Sequence, residues 1–228
     1  MRKLSLIAGL MLLALPGSTR AQDETPAGAA EAEPAESTEA APPPAAAAAP
    51  ESKMRVGIAF LPMLMGKVGA GDTNDLGWDD MKTAYGVGFL FGYKVIAGLS
   101  VGVAPQILYN VNGKDDPNDA STQWDLMARI AYEYTVIPKL DVYAEVLPGY
   151  SIVQFHGRSM LGTTPPNPKG LVIGFGAGAA YDITDRFFAN LGVGYQMGFG
   201  EYSVEGSDQD QGYRTKFLRI AVGGGMKF

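Results

Sequence analysis

The chain has 228 residues, a formal net charge of −6 and no cysteine. Without cysteine there is no disulfide framework, no thiolate metal site and no lipid anchor on a cysteine. The acidic balance argues against nucleic acid as a partner, because a nucleic-acid-binding face needs a cationic stripe.

Residues 1–21 have the pattern of a secretory signal peptide. Two early bases precede an apolar run from Leu4 to Leu15, and a Pro-Gly break leads to a small-x-small sequence that ends at Ala21. The apolar run is shorter than the roughly 20 residues that a membrane helix needs. We therefore expect export through a cleaved signal peptide, with Gln22 as the first residue of the mature protein.

Residues 22–53 are rich in Ala, Pro and Glu and include the run APPPAAAAAP at 41–50. This segment has no aromatic residue, so it offers too little apolar surface to offset the entropy cost of ordering it. Its composition predicts a disordered spacer. The alternative is a tether that contacts the cell wall or a partner.

From Met54 onward, apolar and polar residues alternate. One example is the apolar set Trp124, Leu126, Ala128, Ile130, Tyr132 and Tyr134, which alternates with Asp125, Met127, Arg129, Ala131 and Glu133. Such alternation over about 9–11 residues is what a membrane β-barrel requires. A soluble sandwich would also alternate, but its apolar face would be the inner one.

This alternation predicts an all-β domain over residues 54–228, built as an eight-stranded antiparallel up-and-down transmembrane β-barrel. The predicted strands lie at about 54–64, 82–94, 99–110, 123–135, 140–153, 170–182, 186–199 and 212–228. Longer polar loops are predicted at 65–81, 111–122, 154–169 and 200–211. The even number of strands puts both ends of the barrel on the side of the short turns, which would face the periplasm, so the spacer at 22–53 would be periplasmic too.

Three related segments lie at the predicted short turns: YKVIAGL at 93–99, YTVIPKL at 134–140 and YDITDRF at 181–187. Each begins with a Tyr and ends with a large apolar residue, so both flank a turn at the same depth. Tyr buries its ring and keeps its hydroxyl in water, which suits the lipid–water boundary. The pattern predicts a periplasmic aromatic girdle that includes Tyr93, Tyr134, Tyr181 and Phe187.

The last predicted strand, FLRIAVGGGMKF, places Met226 and the final Phe228 in the outward phase. With the signal peptide, the spacer and the eight strands, the segment from Met54 resembles the small outer-membrane β-barrel family, of the OmpA membrane-domain and OmpX kind. The resemblance implies a protein of the outer membrane that is surrounded by lipid and lipopolysaccharide. It also implies that Met226 and Phe228 form part of the signal to the barrel assembly machinery.

An eight-stranded barrel has room inside for its own side chains or one small ligand. The strand phase places charged residues there: the acids Asp125, Glu133, Asp141, Glu145 and Asp182, and the bases Arg55, Arg129, Arg186, Arg219 and Lys227. Buried charges need partners. Counting outward from the turns predicts three directly opposed pairs, namely Arg129 with Glu145, Asp182 with Arg186, and Glu133 with Asp141.

The last of these pairs joins two acids, which is unfavourable. We therefore predict that Arg55 or Lys227 reaches between Glu133 and Asp141. The ion-pair network has two interpretations: a plugged core that fixes the barrel, which the barrel size favours, or a gated pore.

Three other motifs give weaker evidence for a function. The glycines in GVGFLFG at 86–92 and IGFGAGA at 173–179 resemble phosphate loops, but no helix follows them, so we expect them to make room for interior side chains and expect no cofactor. His156, with Ser151, Ser159 and Glu145 near it in the sequence, would suit a lipid-modifying enzyme only if these groups met. The acidic loops, with Asp115, Asp116, Asp119, Asp208 and Asp210, lack a full Ca²⁺ ligand spacing, so no metal site is predicted.

The sequence thus favours a non-catalytic outer-membrane barrel with a structural or surface-interaction role and a plugged interior. The second hypothesis is a channel for small solutes, or one that lets apolar molecules leave sideways. The third is a lipid-modifying outer-membrane enzyme.

Overall fold

The computed structural model describes residues 52–72, 75–114, 120–156, 167–203 and 210–228. The predicted signal peptide at 1–21 and the predicted spacer, apart from its last two residues, lie outside these ranges. Within them, no helix is both long and apolar enough to cross a membrane.

The described residues form ten strands in one antiparallel sheet. The strands are β1 (Met54–Asp72), β2 (Asp75–Asp80), β3 (Tyr85–Ile96), β4 (Leu99–Val103), β5 (Gln106–Tyr109), β6 (Ala120–Ile137), β7 (Leu140–His156), β8 (Lys169–Asp182), β9 (Phe187–Ser203) and β10 (Asp210–Lys227). The sheet closes into a ring because β1 pairs with β10 along one edge and with β2 and β3 along the other.

The ten strands form a barrel of eight strands, as predicted, because two of the eight barrel strands are each interrupted once. β2 and β3 are the two parts of one interrupted barrel strand, since both pair with β1 in the same continuous register. β4 and β5 are the parts of another, since both pair with β6 in one register and are separated only by Ala104 and Pro105. Proline has no N–H to donate to the ladder, which accounts for the second interruption.

The strands are longer than predicted on the side of the long loops. Residues 65–72 and 75–80, predicted as loop, belong to β1 and β2, and β9 continues to Ser203. At about 3.4 Å per residue, the 18 residues of β6 span about 60 Å, far more than a bilayer requires. The strand ends on the side of the long loops are rich in Gly and Asp, which are typical of loops. They nevertheless continue the hydrogen-bonded ladder beyond the apolar belt.

The predicted register at two short turns is wrong by two residues. The β6–β7 hairpin turns at Pro138 and Lys139, where Lys139 has a φ of 75°, and not about Ile137. A register shift between Thr135 and Ile137 accompanies this turn. As a result Glu145 lies opposite Ala131, Glu133 opposite Tyr143, and Asp182 opposite Phe188.

Candidate functional site

The two faces of the barrel wall differ sharply in polarity. On the outer face Leu126 is 66% exposed and Leu171 is 68% exposed, whereas inside the barrel Asp125 and Arg129 are 3% and 4% exposed. A soluble sandwich has the opposite arrangement, with its apolar residues in the core. The outer wall is therefore a surface for lipid, and the charged side chains lie in the interior beside buried apolar ones.

The residues of the predicted aromatic girdle are on this outer surface at the rim with the short turns. Tyr93, Tyr134, Tyr181 and Phe187 are all 44% to 62% exposed. The two ends of the barrel chain meet at the same rim, where the N–H of Met54 donates to the carbonyl of Phe228 at 3.1 Å. The contact of these rings with lipid headgroups stays a prediction.

Trp124 offers a direct test of the lipid-facing wall. Its side chain points outward and is 46% exposed within the apolar belt. In a Trp78→Phe background, we expect strong fluorescence quenching when the barrel is folded into vesicles of lipid brominated on the acyl chains. Quenching no greater than in unbrominated vesicles would show that this face does not contact lipid.

Near the short-turn rim, an arginine joins the two acids whose repulsion the sequence predicted. Arg55 Nη1 lies 3.1 Å from Glu133 Oε2, and Arg55 Nη2 pairs with Asp141 Oδ2. The prediction that Arg55 or Lys227 reaches between Glu133 and Asp141 is thus confirmed for Arg55, although the register from which it came is wrong. The same guanidinium lies 5.7 Å from the ring centroid of Phe188.

The prediction that Asp182 pairs with Arg186 is wrong. Asp182 pairs with Lys227 instead. Arg186 is exposed in the β8–β9 turn, where the hydroxyl of Thr184 accepts hydrogen bonds from the backbone N–H groups of Arg186 and Phe187 at 3.2 and 3.0 Å. β9 begins at Phe187, so Arg186 stays in the turn and does not enter the barrel.

In the middle of the barrel, the predicted Arg129–Glu145 ion pair is present. Arg129 Nε donates to Glu145 Oε2 at 2.7 Å and Nη1 donates to Glu133 Oε1 at 3.3 Å. Arg219 Nη2 reaches the other carboxylate oxygen of Glu145 at 3.2 Å. Glu145 is thus held between two guanidinium groups, and the long Arg129 side chain makes up for the two-residue error in register.

Asp125 is in the interior, as predicted, but its partners are amides. The side-chain N–H groups of Gln106, Gln196 and Gln123 donate to its carboxylate at 2.6, 2.7 and 2.8 Å. Arg219 contacts this cluster indirectly, because its Nη1 donates to Gln106 Oε1 at 3.1 Å. The side chain of Ser151 also hydrogen-bonds to this carboxylate. Among the described residues, uncharged side chains therefore take the place of the expected ion pair of Asp125.

The sequence interpretation did not single out these glutamines. Gln106 and Gln196 are 90 positions apart, and each occupies an inward position of its strand. Their inward phase was the only available signal. The same holds for the apolar residues that fill the interior, among them Leu108, Met127, Leu147 and Phe217, each no more than 1% exposed.

Inward glycines face large side chains, as the structural interpretation of the glycine runs expected. A Cβ at Gly174 would lie 3.3 Å from Leu147 Cβ, and one at Gly176 would lie 3.2 Å from Glu145 Oε1. The glycines therefore leave room for the interior side chains opposite.

The cavity inside the barrel is smaller than a pocket on its outer wall. An interior cavity of about 70 Å³ is lined by Arg55, Arg129, Glu145 and Arg219 among others, and could hold a few water molecules. A pocket of about 370 Å³ opens on the outer wall at Pro105, where Trp124 and Tyr150 line it together with the interior residues Gln106 and Asp125.

The candidate catalytic residues do not come together. His156 Nε2 is 2.8 Å from the hydroxyl of Thr122, whereas Ser151 and Glu145 occupy the inward phase of β7, opposite in phase to His156. Ser159 lies outside the described residues, as do Asp115, Asp116, Asp119 and Asp208, and the side chain of Asp210 is not described. Among the described residues, no group of three or more potential ligands could hold a metal ion.

The comparison with protein families agrees with this geometry. The family model described as "Outer membrane protein beta-barrel domain" matches residues 39–228, which is most of the chain. The chain belongs to this family. Its apolar belt faces outward and its ion-pair network lies inside, as an outer-membrane β-barrel requires. The match begins within the predicted spacer.

Solved structures of outer-membrane β-barrels are similar in fold. The crystal structure of the outer membrane protein OprG from Pseudomonas aeruginosa has a TM-score of 0.56 at 13% identity and covers 78% of this chain and 96% of its own. The solid-state NMR structure of the outer membrane protein AlkL in DMPC lipid bilayers has a TM-score of 0.56 at 14% identity, with 82% and 94% covered. At such low identity these similarities show the fold alone. No curated protein matches the sequence.

Proposed function

We propose that this outer-membrane β-barrel has a plugged interior and serves a structural or surface-interaction role. The observation that carries the proposal is that the barrel's own side chains fill the interior except for a cavity of about 70 Å³. Arg55, Arg129 and Arg219 join the acids of the lower half, and fully buried side chains such as Leu108 and Phe217 fill the space above them. An eight-stranded barrel has little space to spare, and here its own side chains occupy most of it.

Liposome swelling tests the plugged interior. The folded barrel in phosphatidylcholine vesicles should admit a small neutral sugar no faster than vesicles without protein. Swelling that rises in proportion to the amount of folded barrel would contradict the proposal.

One observation favours transport as a second candidate. The outer-wall pocket at Pro105 is lined by both lipid-facing and interior residues, and Phe89 and Gln106 line this pocket and the interior cavity alike. Pro105 accepts a hydrogen bond from Phe89 N–H at 2.9 Å but cannot return one. An apolar molecule could leave sideways at this interruption in the wall.

The Pro105→Val variant separates the two candidates, because valine supplies the missing N–H of the ladder. If the wall is a route, Pro105→Val should slow the passage of an apolar solute into vesicles severalfold relative to the unmodified barrel. If the barrel is plugged, both proteins should behave like protein-free vesicles.

We further propose that the chain is exported through a cleaved signal peptide, is inserted by the barrel assembly machinery through a signal that includes Met226 and Phe228, and catalyses no reaction. The outward phase of Met226 and Phe228 supports the assembly signal. The opposite orientations of His156 and Ser151 support the absence of catalysis. A His156→Ala variant should leave the lipid composition of the host membrane unchanged, and a change would favour the lipid-modifying enzyme.

A further inference from the structure

A group of bases lies on the outer wall just above the apolar belt, at the end of the barrel that carries the long loops. On the outward face of β10, the two positions between Leu218 and the long loops are Lys216 and Arg214, and both alternate with buried residues. On the neighbouring strand β1, Lys67 lies directly opposite Lys216. Lys67, Lys216 and Arg214 are called the β1–β10 patch below.

The three bases have little counter-charge in the described part of the chain. Like charges directly opposite each other destabilise a sheet, and Lys67 and Lys216 are such a pair. Lys67 Nζ lies 3.4 Å from Asp80 Oδ1, in a largely exposed pair that contributes little. Lys216 Nζ lies 3.8 Å from the ring centroid of Trp78, a contact that attracts the charge without neutralising it.

Arg214 is exposed, and its guanidinium forms no ion pair with a described residue. The nearest acid on β9 is Glu201, which pairs with Gly212 and not with Arg214 across the β9–β10 ladder. On its other side Glu201 lies directly opposite Lys169, which is a further base. The described wall at this level therefore carries an excess of positive charge.

The position of the patch relative to the membrane indicates what would balance it. Leu64 and Leu218 mark the upper edge of the apolar belt on β1 and β10, and the bases follow immediately above. In outer-membrane barrels the long-loop end faces the cell exterior, so this edge borders the outer leaflet. Trp78 is 40% exposed at the same level, where an indole ring is favoured at the lipid–water boundary.

We propose that the β1–β10 patch binds the phosphate groups of an outer-leaflet lipid of the lipid A class, whose acyl chains lie against the apolar belt below. Arginine binds phosphate through a bidentate fork and lysine binds it as a point charge, so the three bases suit a bisphosphorylated headgroup. The continuity of the patch with the apolar belt favours a lipid over a free anion. The proposal holds whether or not the interior conducts.

The test uses the folded barrel in phosphatidylcholine vesicles with and without bisphosphorylated lipid A, and measures the temperature at which its heat-shifted gel mobility changes. Lipid A should raise this temperature for the unmodified protein. In the Arg214→Gln/Lys216→Gln variant the rise should fall to less than half. The control variant Lys139→Gln/Arg186→Gln removes the same charge from exposed positions at the opposite rim and should keep the full rise.

An equal rise in the patch variant, or an equal rise with dephosphorylated lipid A, would overturn the proposal. Inorganic phosphate added to phosphatidylcholine vesicles should have no effect, and a rise as large as that from lipid A would indicate a free-anion site instead.

A second measurement needs no change in the patch. In a Trp124→Phe background, Trp78 fluorescence should shift with bisphosphorylated lipid A, and no shift would also overturn the proposal.

Discussion

Replacing Arg129 with alanine should lower the free energy of unfolding by about 3 to 5 kcal/mol, the usual cost of breaking a buried ion pair from one side. Arg129 is 4% exposed and contacts both Glu145 and Glu133. Among the described residues, its removal leaves Arg219 as the ion-pair partner of Glu145 and Arg55 as that of Glu133. Urea unfolding of the barrel in lipid vesicles, followed by gel mobility, measures the change.

The matched control is Arg186→Ala, which removes the same side chain from an exposed turn. No measurable change in stability is expected, because its guanidinium forms no ion pair among the described residues. An equal loss in both variants would mean that the interior network does not stabilise the barrel.

Placing a charge in the middle of the lipid-facing wall should have a similarly large effect. Val222 is 51% exposed on β10, midway along the apolar belt. The Val222→Arg variant should be destabilised by about 2 to 4 kcal/mol, the cost of an arginine at the bilayer midplane of a β-barrel. The same unfolding experiment in vesicles measures it.

Gln154 provides the control for this variant, because it is exposed on β7 near the long-loop end of the barrel. The Gln154→Arg variant should cost no more than about 1 kcal/mol, as charges near the boundary do. A Val222→Arg variant as stable as the original would show that this face does not meet the hydrocarbon core.

The sequence predicted which residues face inward, because alternation with a period of two is a local property of each strand. It therefore placed Arg129, Glu145 and Asp125 inside. It did not predict the register, because the centre of a hairpin depends on turn geometry, here the positive φ of Lys139. A shift of two residues keeps every side chain on its face, so the predicted inward residues stayed inside, with the exception of Arg186 in the β8–β9 turn.

The partners of the interior charges were harder to predict. Arg55 and Asp141 are separated by 86 positions, and Lys227 and Asp182 by 45, so such contacts depend on closure of the ring. A cation between Glu133 and Asp141, either Arg55 or Lys227, was nevertheless predicted because two acids close together on one face demand one, and Arg55 takes this place. The amides around Asp125 carry no charge and gave no such signal.

The most direct test of the plugged interior is the conductance of the purified mature chain folded into a planar bilayer, with heat-shifted gel mobility as the check that it is folded. The filled core and its ion-pair network predict no current above that of the bare bilayer. Steady, reproducible current steps from folded protein would contradict this account and would mean that the charged interior is an open path.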